Sequence, residues 1–237
     1  MKQKITTNIT AHSGSDGTPD NSMEFVHYAL TTSADALEID VRLSSNHTLI
    51  ISHDKTEASA IPLAQVFEAV KQHKGMRINC DLKEYDLEES VFLLSQEHQL
   101  PQGTILFSGS VNPHNLLNPP ALKEIEIYWN VEECIPDIYA CEAGKEQEKI
   151  TESLAYKLVS EYKRHGISVI NINEKYLNPV FIEILKSEGI EISAWTVNDP
   201  KRIAQLIDLE IKNITTRCPV SALEIKRKKQ TERSVSA

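Results

Sequence analysis

The chain has 237 residues, 41% of them hydrophobic and 25% charged, with 25 basic against 34 acidic side chains and a net charge of −9. That apolar share excludes a mainly disordered chain, and no run approaches the ~20 apolar residues of a membrane-spanning helix. The acidic balance argues against a nucleic-acid groove.

Met1-Lys2-Gln3-Lys4 leads straight into a polar, β-prone segment without an apolar stretch, so no secretory signal is expected. A first strand is expected over 5–11. A helix follows over 22–32, capped by Asn21, with Glu24 completing a capping box. A second strand spans 36–43, and an apolar run over 49–53 returns toward the same end. Next come a helix over 62–73, a strand over 77–83, a helix over 87–98 and a strand over 104–108. After a Pro- and Asn-rich passage, 124–130 reads as a strand and 151–165 as a long helix closed by Gly166. The alternation then runs strand 168–173, helix 179–188, strand 191–197, helix 200–209, strand 213–216 and a last helix from Pro219. Asn178-Pro179 and Asp199-Pro200 each place a capping side chain before a proline at the first helical position.

These segments make eight strand–helix units, the fourth helix being the weakest. Regular alternation implies a mainly parallel sheet with right-handed crossovers. Eight units in about 220 residues fit a single-domain α/β fold, the (β/α)8 TIM barrel. No Gly-rich dinucleotide fingerprint follows the first strand, which disfavours a doubly wound sheet. The barrel is expected over 1–224, with a basic, frayed tail over 225–237. That tail holds five basic residues and one acidic, net +4, which leaves −13 on the rest. A solvated helix end is its commoner meaning, and contact with anionic lipid the rarer one. Cys80, Cys134, Cys141 and Cys218 lack metal-finger or disulfide-framework spacing, which points to reduced thiols in a cytoplasmic protein.

In a barrel, chemistry collects at the C-terminal ends of the strands. The first strand ends in Ala11-His12-Ser13-Gly14, and the return run ends in Ser52-His53-Asp54. Glu38-Ile39-Asp40 and Asp81-Leu82-Lys83 each put two polar side chains on one face, because strand side chains alternate. Carboxylates inside apolar strands are costly unless something compensates them. Glu38, Asp40 and Asp81 arriving from neighbouring strands would form an all-oxygen site, which suits Mg²⁺ or Ca²⁺ rather than zinc. His12 and His53 are natural acid and base candidates beside such an ion. Plainer meanings exist for each residue. A strand-end histidine is often a scaffold residue, Glu38-x-Asp40 could face solvent, and Asp81-x-Lys83 could be a salt bridge within the barrel. Joint occurrence at consecutive strand ends is what singles them out. Cys80, by alternation, points away and packs.

The ordered set His12-Ser13-Gly14, Pro19-Asp20-Asn21-Ser22, Glu38-x-Asp40, His53-Asp54, Asp81-x-Lys83 and Trp195-Thr196-Val197-Asn198 resembles the glycerophosphodiester phosphodiesterase family. That family's pattern runs His-Arg-Gly, Pro-Glu-Asn-Thr, Glu-x-Asp, His-Asp, Glu-x-Lys, Trp-Thr-Val-Asn and Thr-Asp-x-Pro. The resemblance extends from Ile9 to Pro219 and implies a metal-dependent phosphodiesterase acting on small glycerophosphodiester-like substrates. It further implies a divalent ion, Mg²⁺ or Ca²⁺, on Glu38, Asp40 and Asp81, with His12 and His53 as the acid–base pair. Lys83 would contact the phosphate and Trp195 the alcohol portion of the substrate.

The chain departs from that pattern in places. Ser13 stands where the family has a phosphate-reaching arginine, and a serine supplies no charged fork. Asp81 is one methylene shorter than the usual glutamate. Arg217 occupies the family's aspartate position, where it would restore the missing positive charge. Ser13 and Arg217 are therefore carried as substrate-side positions with Lys83 and Trp195. Only 55–61 separates His53-Asp54 from the next helix, where typical members carry a larger insertion, so a shallower pocket is expected. Loss of the arginine and the Asp-x-Lys pair are shared with sphingomyelinase D-like phospholipases. Two other readings follow: a lysophospholipase D-type enzyme acting on lipid diesters, and a non-catalytic relative that binds a phosphorylated metabolite or a partner protein.

Overall fold

A computed structural model describes residues 4–55, 60–115 and 120–235. Met1-Lys2-Gln3, most of the short connection after His53-Asp54, part of the Pro- and Asn-rich passage and the last two residues lie outside it. The chain opens with β1 (Asn8–Ala11), α1 (Met23–Thr31), β2 (Ala36–Leu43), β3 (Leu49–Ile51), β4 (Ile61–Pro62) and α2 (Leu63–Lys71). It continues with β5 (Arg77–Leu82), α3 (Glu88–Glu97), β6 (Ile105–Gly109), β7 (Glu126–Asn130), α4 (Glu146–Lys149) and α5 (Glu152–His165). It ends with β8 (Val169–Asn173), α6 (Pro179–Ser187), β9 (Glu191–Trp195), α7 (Pro200–Asp208), β10 (Asn213–Thr216) and α8 (Pro219–Val235).

β1 pairs in parallel with both β2 and β10, which closes β1, β2 and β5 to β10 into an eight-stranded parallel barrel. β3 and β4 extend antiparallel from β2 as a side ribbon. In the fourth unit the described residues form a 3-10 turn, Pro120–Glu124, in place of a regular helix.

Local chemistry explains most of the boundaries. Asn178 accepts from the Phe181 N–H and Asp199 from the Lys201 N–H, each before a proline at the helix start. Thr151 caps α5, and Gly166 ends it in the left-handed region at φ 69°. The first helix departs from expectation. Ser22 is its cap, accepting from the Phe25 N–H at 3.0 Å, while Asn21 sits at φ 47° and turns its amide toward the barrel mouth.

Alternation sorts the strand residues into two environments. Outward residues such as Ile9, Ile39, Ile78, Cys80 and Ile172 are fully buried with Phe25, Phe67, Leu158 and Phe181 of the helices, and this layer is the main apolar core. The inward layer is partly polar. Leu106, Tyr128 and Val169 form a small separate apolar cluster across β6, β7 and β8. On β1, β9 and β10, Thr10 Oγ1 donates to Asn213 Oδ1 (2.8 Å), and Asn213 Nδ2 donates to Ser193 Oγ and Thr215 Oγ1 (3.1 Å each). At the strands' N-terminal ends, Arg77 and Lys212 pair with Glu126 at 2.7 and 3.2 Å.

Residues 225–235, expected to fray, are helical and tied to the body. Lys226 pairs with Asp35 (3.2 Å), Lys229 with Asp208 (2.5 Å) and Arg233 with Glu210 (2.6 Å), while the Ile5 N–H donates to Gln230 Oε1 (2.7 Å). The acidic surface of the barrel is the counter-charge for this basic helix. Among the described residues no helix is long and apolar enough to cross a membrane. All four cysteines are free thiols.

Replacing Asn213 with Ala strands the buried hydroxyls it joins. Unfolding in urea is expected to show a loss of about 1–3 kcal/mol with an unchanged m value.

Candidate active site

Strand register assembles the site. β2 and β5 align Asp40 with Asp81, and β5 and β6 align Asp81 with Ser108. Glu38 lies two residues before Asp40, hence on the same inward face. One oxygen from each of Glu38, Asp40 and Asp81 lies within 4.8 Å of the other two. Glu38 and Asp40 are buried and Asp81 half-buried.

Each carboxylate is held on one oxygen by a donor. The Ser13 N–H donates to Glu38 Oε2 (3.1 Å), Asn21 Nδ2 to Asp40 Oδ2 (2.7 Å) and Ser108 Oγ to Asp81 Oδ1 (2.7 Å). Asp40 returns its own N–H to Asn21 Oδ1 at 3.0 Å, so Asn21 clamps both ends of that residue. Glu38 Oε1, Asp40 Oδ1 and Asp81 Oδ2 are left for a cation. The Lys83 ammonium stands on two of them, 2.8 Å from Asp40 Oδ1 and in direct contact with Asp81 Oδ2.

The proton affinities follow from this crowding. Burial pushes Glu38 up to about 7, with His12 opposing the rise and Asp40 and Asp81 adding to it. Burial also works to raise Asp40, but the Lys83 charge and the hydrogen bonds from Lys83 and Asn21 outweigh it and hold the carboxyl below its usual range. For Lys83, burial disfavours the charge, and Asp81 and Asp40 more than reverse that, raising the ammonium above an ordinary lysine. Three hard oxygens, oriented from one side and short of positive charge, fit an ion of the Mg²⁺ or Ca²⁺ kind.

A cavity of about 420 Å³ opens over these groups. His12, His53, Lys83, Trp195 and Arg217 all line it, so five of the expected residues share one space with the carboxylates. His12 Nδ1 donates to the Ser13 carbonyl at 2.7 Å, which leaves the Nε2 lone pair available. His53 is exposed, with Nδ1 3.0 Å from Asp54 Oδ1 and its carbonyl held by Arg42 Nε at 2.8 Å. The Trp195 ring stands edge-on to Tyr139, centroids 5.9 Å apart. Arg217 pairs with Asp20 Oδ1 at 2.8 Å, and the pair lies over Gly14. A Cβ at Gly14, where φ is 75°, would fall 2.2 Å from Asp20 Oδ1 and 2.6 Å from Arg217 Nη1, so only glycine fits beneath it.

Ser13 is a correction to the expected substrate contacts. Its side chain is fully buried and does not line the cavity; its hydroxyl accepts the Asn21 N–H at 2.6 Å. The short side chain turns inward to fasten the loop that delivers Asn21. Sequence reasoning also passed over Asn21, read as a helix cap, and Ser108, whose inward position at the end of β6 was the available signal. It passed over Asn79, Asn130, Glu132 and Asn171 as well, which line the cavity. Asn171 Nδ2 donates to Asn130 Oδ1 (2.7 Å) and Asn130 Nδ2 to Glu132 Oε1 (3.0 Å), a relay that orients this polar lining. Among the described residues, Asn79 Oδ1 and Trp195 Nε1 are buried in the lining without a hydrogen-bond partner.

Fold and cavity define a single-domain (β/α)8 barrel whose anionic mouth gathers three carboxylates that could hold a cation, with two histidines lining the same cavity. The sequence model of the glycerophosphoryl diester phosphodiesterase family matches residues 12–105, the stretch that contains both histidines, all three carboxylates and Lys83. YhdW of Bacillus subtilis, a relative named for the same diesterase activity, is 22% identical over 236 residues, covering 89% of this chain and 94% of that protein. A glycerophosphodiester phosphodiesterase from Parabacteroides distasonis superposes with a TM-score of 0.73 at 19% identity, over 96% of this chain and 99% of the other. An Oleispira antarctica phosphodiesterase, solved with its product sn-glycerol-3-phosphate, gives 0.70 at 22% identity, over 93% and 96%. Over residues 12–105 the chain is similar to the glycerophosphodiester phosphodiesterase family, and along nearly its whole length it shares the fold of these relatives.

Asn21→Ala removes the donor that orients Asp40. If the three carboxylates hold Mg²⁺, titration calorimetry with that ion is expected to show affinity lowered about 10–100-fold, with the far-UV spectrum unchanged.

Proposed function

We propose that this protein is a metal-dependent phosphodiesterase that cleaves small glycerophosphodiester-like substrates by histidine acid–base catalysis. The observation that carries the reading is the convergence of Glu38, Asp40, Asp81, His12, His53 and Lys83 on one cavity. Support for the substrate class comes from the family-model match over residues 12–105 and from the product held by the Oleispira antarctica relative.

The residues divide the work by chemistry. Glu38, Asp40 and Asp81 would hold Mg²⁺ or Ca²⁺, which supplies positive charge for the nonbridging phosphate oxygens. Lys83 and Arg217 add fixed positive charge to the same group, where charge builds as the phosphorus becomes five-coordinate. Arg217 brings a planar fork suited to two phosphate oxygens, and Asp20 at the cavity rim holds it in place. His12, with Nδ1 committed to the Ser13 carbonyl, accepts at Nε2 the proton of the attacking oxygen, whether from water or from a neighbouring hydroxyl of the substrate. His53 returns a proton to the departing alcohol as the P–O bond breaks. Trp195, braced by Tyr139, offers an apolar face to that alcohol. The free thiols suit action in a reducing cytoplasm.

The test is a panel of soluble glycerophosphodiesters and lysolipids assayed with Mg²⁺, with Ca²⁺ and with chelator. Turnover is expected with metal only and is lost in Glu38→Ala. Folded, metal-treated protein inert on every diester would replace the enzyme reading with a binding role. His12→Ala and His53→Ala should each lower kcat about 10²–10⁴-fold. Arg217→Ala should lower kcat/KM about 10–100-fold, mostly through KM, since it removes a charged hydrogen-bonding partner of the phosphate.

A further inference from the structure

We infer that Lys83 competes with the divalent cation for the same carboxylate oxygens, and that a bound phosphate group ends the competition by drawing the Lys83 ammonium away. Metal and phosphate then bind cooperatively through one side chain. The inference rests on the metal-dependent reading above and deepens it.

The geometry leaves little choice. Each carboxylate has one oxygen committed to a fixed donor: Ser13 N–H on Glu38, Asn21 on Asp40, Ser108 on Asp81. Their remaining oxygens are the ones a cation can use, and Lys83 Nζ stands on those of Asp40 and Asp81. A +1 ammonium and a +2 ion cannot share Asp40 Oδ1 and Asp81 Oδ2, because at contact distance in a buried site their repulsion is large. A metal entering alone must therefore push Lys83 off two carboxylates at once. An ammonium released into a half-buried site without a new partner costs free energy.

Phosphate supplies that partner. Lys83 lines the cavity, so its ammonium can move from the carboxylates to a phosphate oxygen within the same space. Of the other acidic residues lining the cavity, Asp20 is already taken by Arg217, and Glu132 accepts from Asn130. Phosphate entering alone meets the opposite difficulty, because Lys83 is already neutralised and three carboxylates repel the anion. Each ligand provides the counter-charge that the other takes away, and such coupling is reciprocal. Lys83 is then both a substrate contact and the device that makes metal affinity depend on substrate.

The experiment is calorimetric titration of wild type and Lys83→Met with Mg²⁺, each with and without inorganic phosphate. In wild type, phosphate should tighten Mg²⁺ binding about 5–150-fold, the usual range for coupled sites. Lys83→Met should bind Mg²⁺ alone at least 5-fold more tightly than wild type and show a smaller phosphate effect. Equal Mg²⁺ affinity in the two proteins without phosphate would overturn the competition while leaving a metal enzyme in place. Failure of wild type and variant alike to bind Mg²⁺ or Ca²⁺ would overturn the metal-dependent reading as well. A second measurement needs no variant fold: in ¹³C-lysine spectra of wild type, the most shifted ε-carbon signal should move on Mg²⁺ addition and move again with phosphate. A signal indifferent to Mg²⁺ would reject the displacement.

Discussion

Three carboxylates gathered within 4.8 Å at the mouth of a barrel repel one another, and the rest of the mouth is arranged around that repulsion. Desolvation sharpens the difficulty, since Glu38 and Asp40 are buried and their charges cannot be spread into water. The protein answers with hydrogen-bond donors rather than with a full set of opposite charges. A backbone N–H, an amide and a hydroxyl each hold one oxygen of one carboxylate, and a single lysine bridges two of those left. That arrangement keeps the oxygens pointed without neutralising the site, which is the condition under which a hard divalent ion gains most from entering.

The barrel makes such a site tolerable by keeping its two faces separate. Outward strand residues carry the apolar burial against the helices, so the inward layer is free to be polar. Amides and hydroxyls fill the interior on β1, β9 and β10, where Asn213 satisfies three neighbours at once. Stability is thus supplied by the outer layer, and the mouth can hold groups that would be unaffordable in an apolar core. Gly14 shows the same division at a single residue: its missing side chain gives up local rigidity and makes room for the Asp20–Arg217 pair at the cavity rim.

Much of this architecture is legible in the amino-acid sequence. Apolar alternation and the proline-marked helix starts at Pro179 and Pro200 placed the strand–helix units. The spacing of Glu38-x-Asp40 and Asp81-x-Lys83 put paired polar groups on one strand face each. The unread parts share a cause. Asn21 has the side chain of a helix cap and sits one residue before the true cap, so local pattern favoured the wrong role. Ser13 stands at an arginine position of the family pattern, which suggests a substrate contact, whereas its short hydroxyl turns inward to the Asn21 N–H. The basic run after Ile225 looked like a frayed tail because its counter-charges, Asp35, Asp208 and Glu210, lie at distant points of the chain.

The sequence by itself determined the alternation of the eight barrel strands, the starts of most of the helices, and the chemical inventory of the candidate site: three carboxylates, two histidines and a lysine at strand ends. These are local properties, set by side-chain alternation and capping chemistry within a few residues. Only the tertiary structure decided which oxygen of each carboxylate is held and which is free, that Lys83 stands on two of the free ones, and that Arg217 reaches the cavity over Gly14. Those outcomes depend on parallel register and barrel closure, which bring β1, β2, β5, β6 and β10 together. Contacts between residues tens to hundreds of positions apart leave no trace in local periodicity.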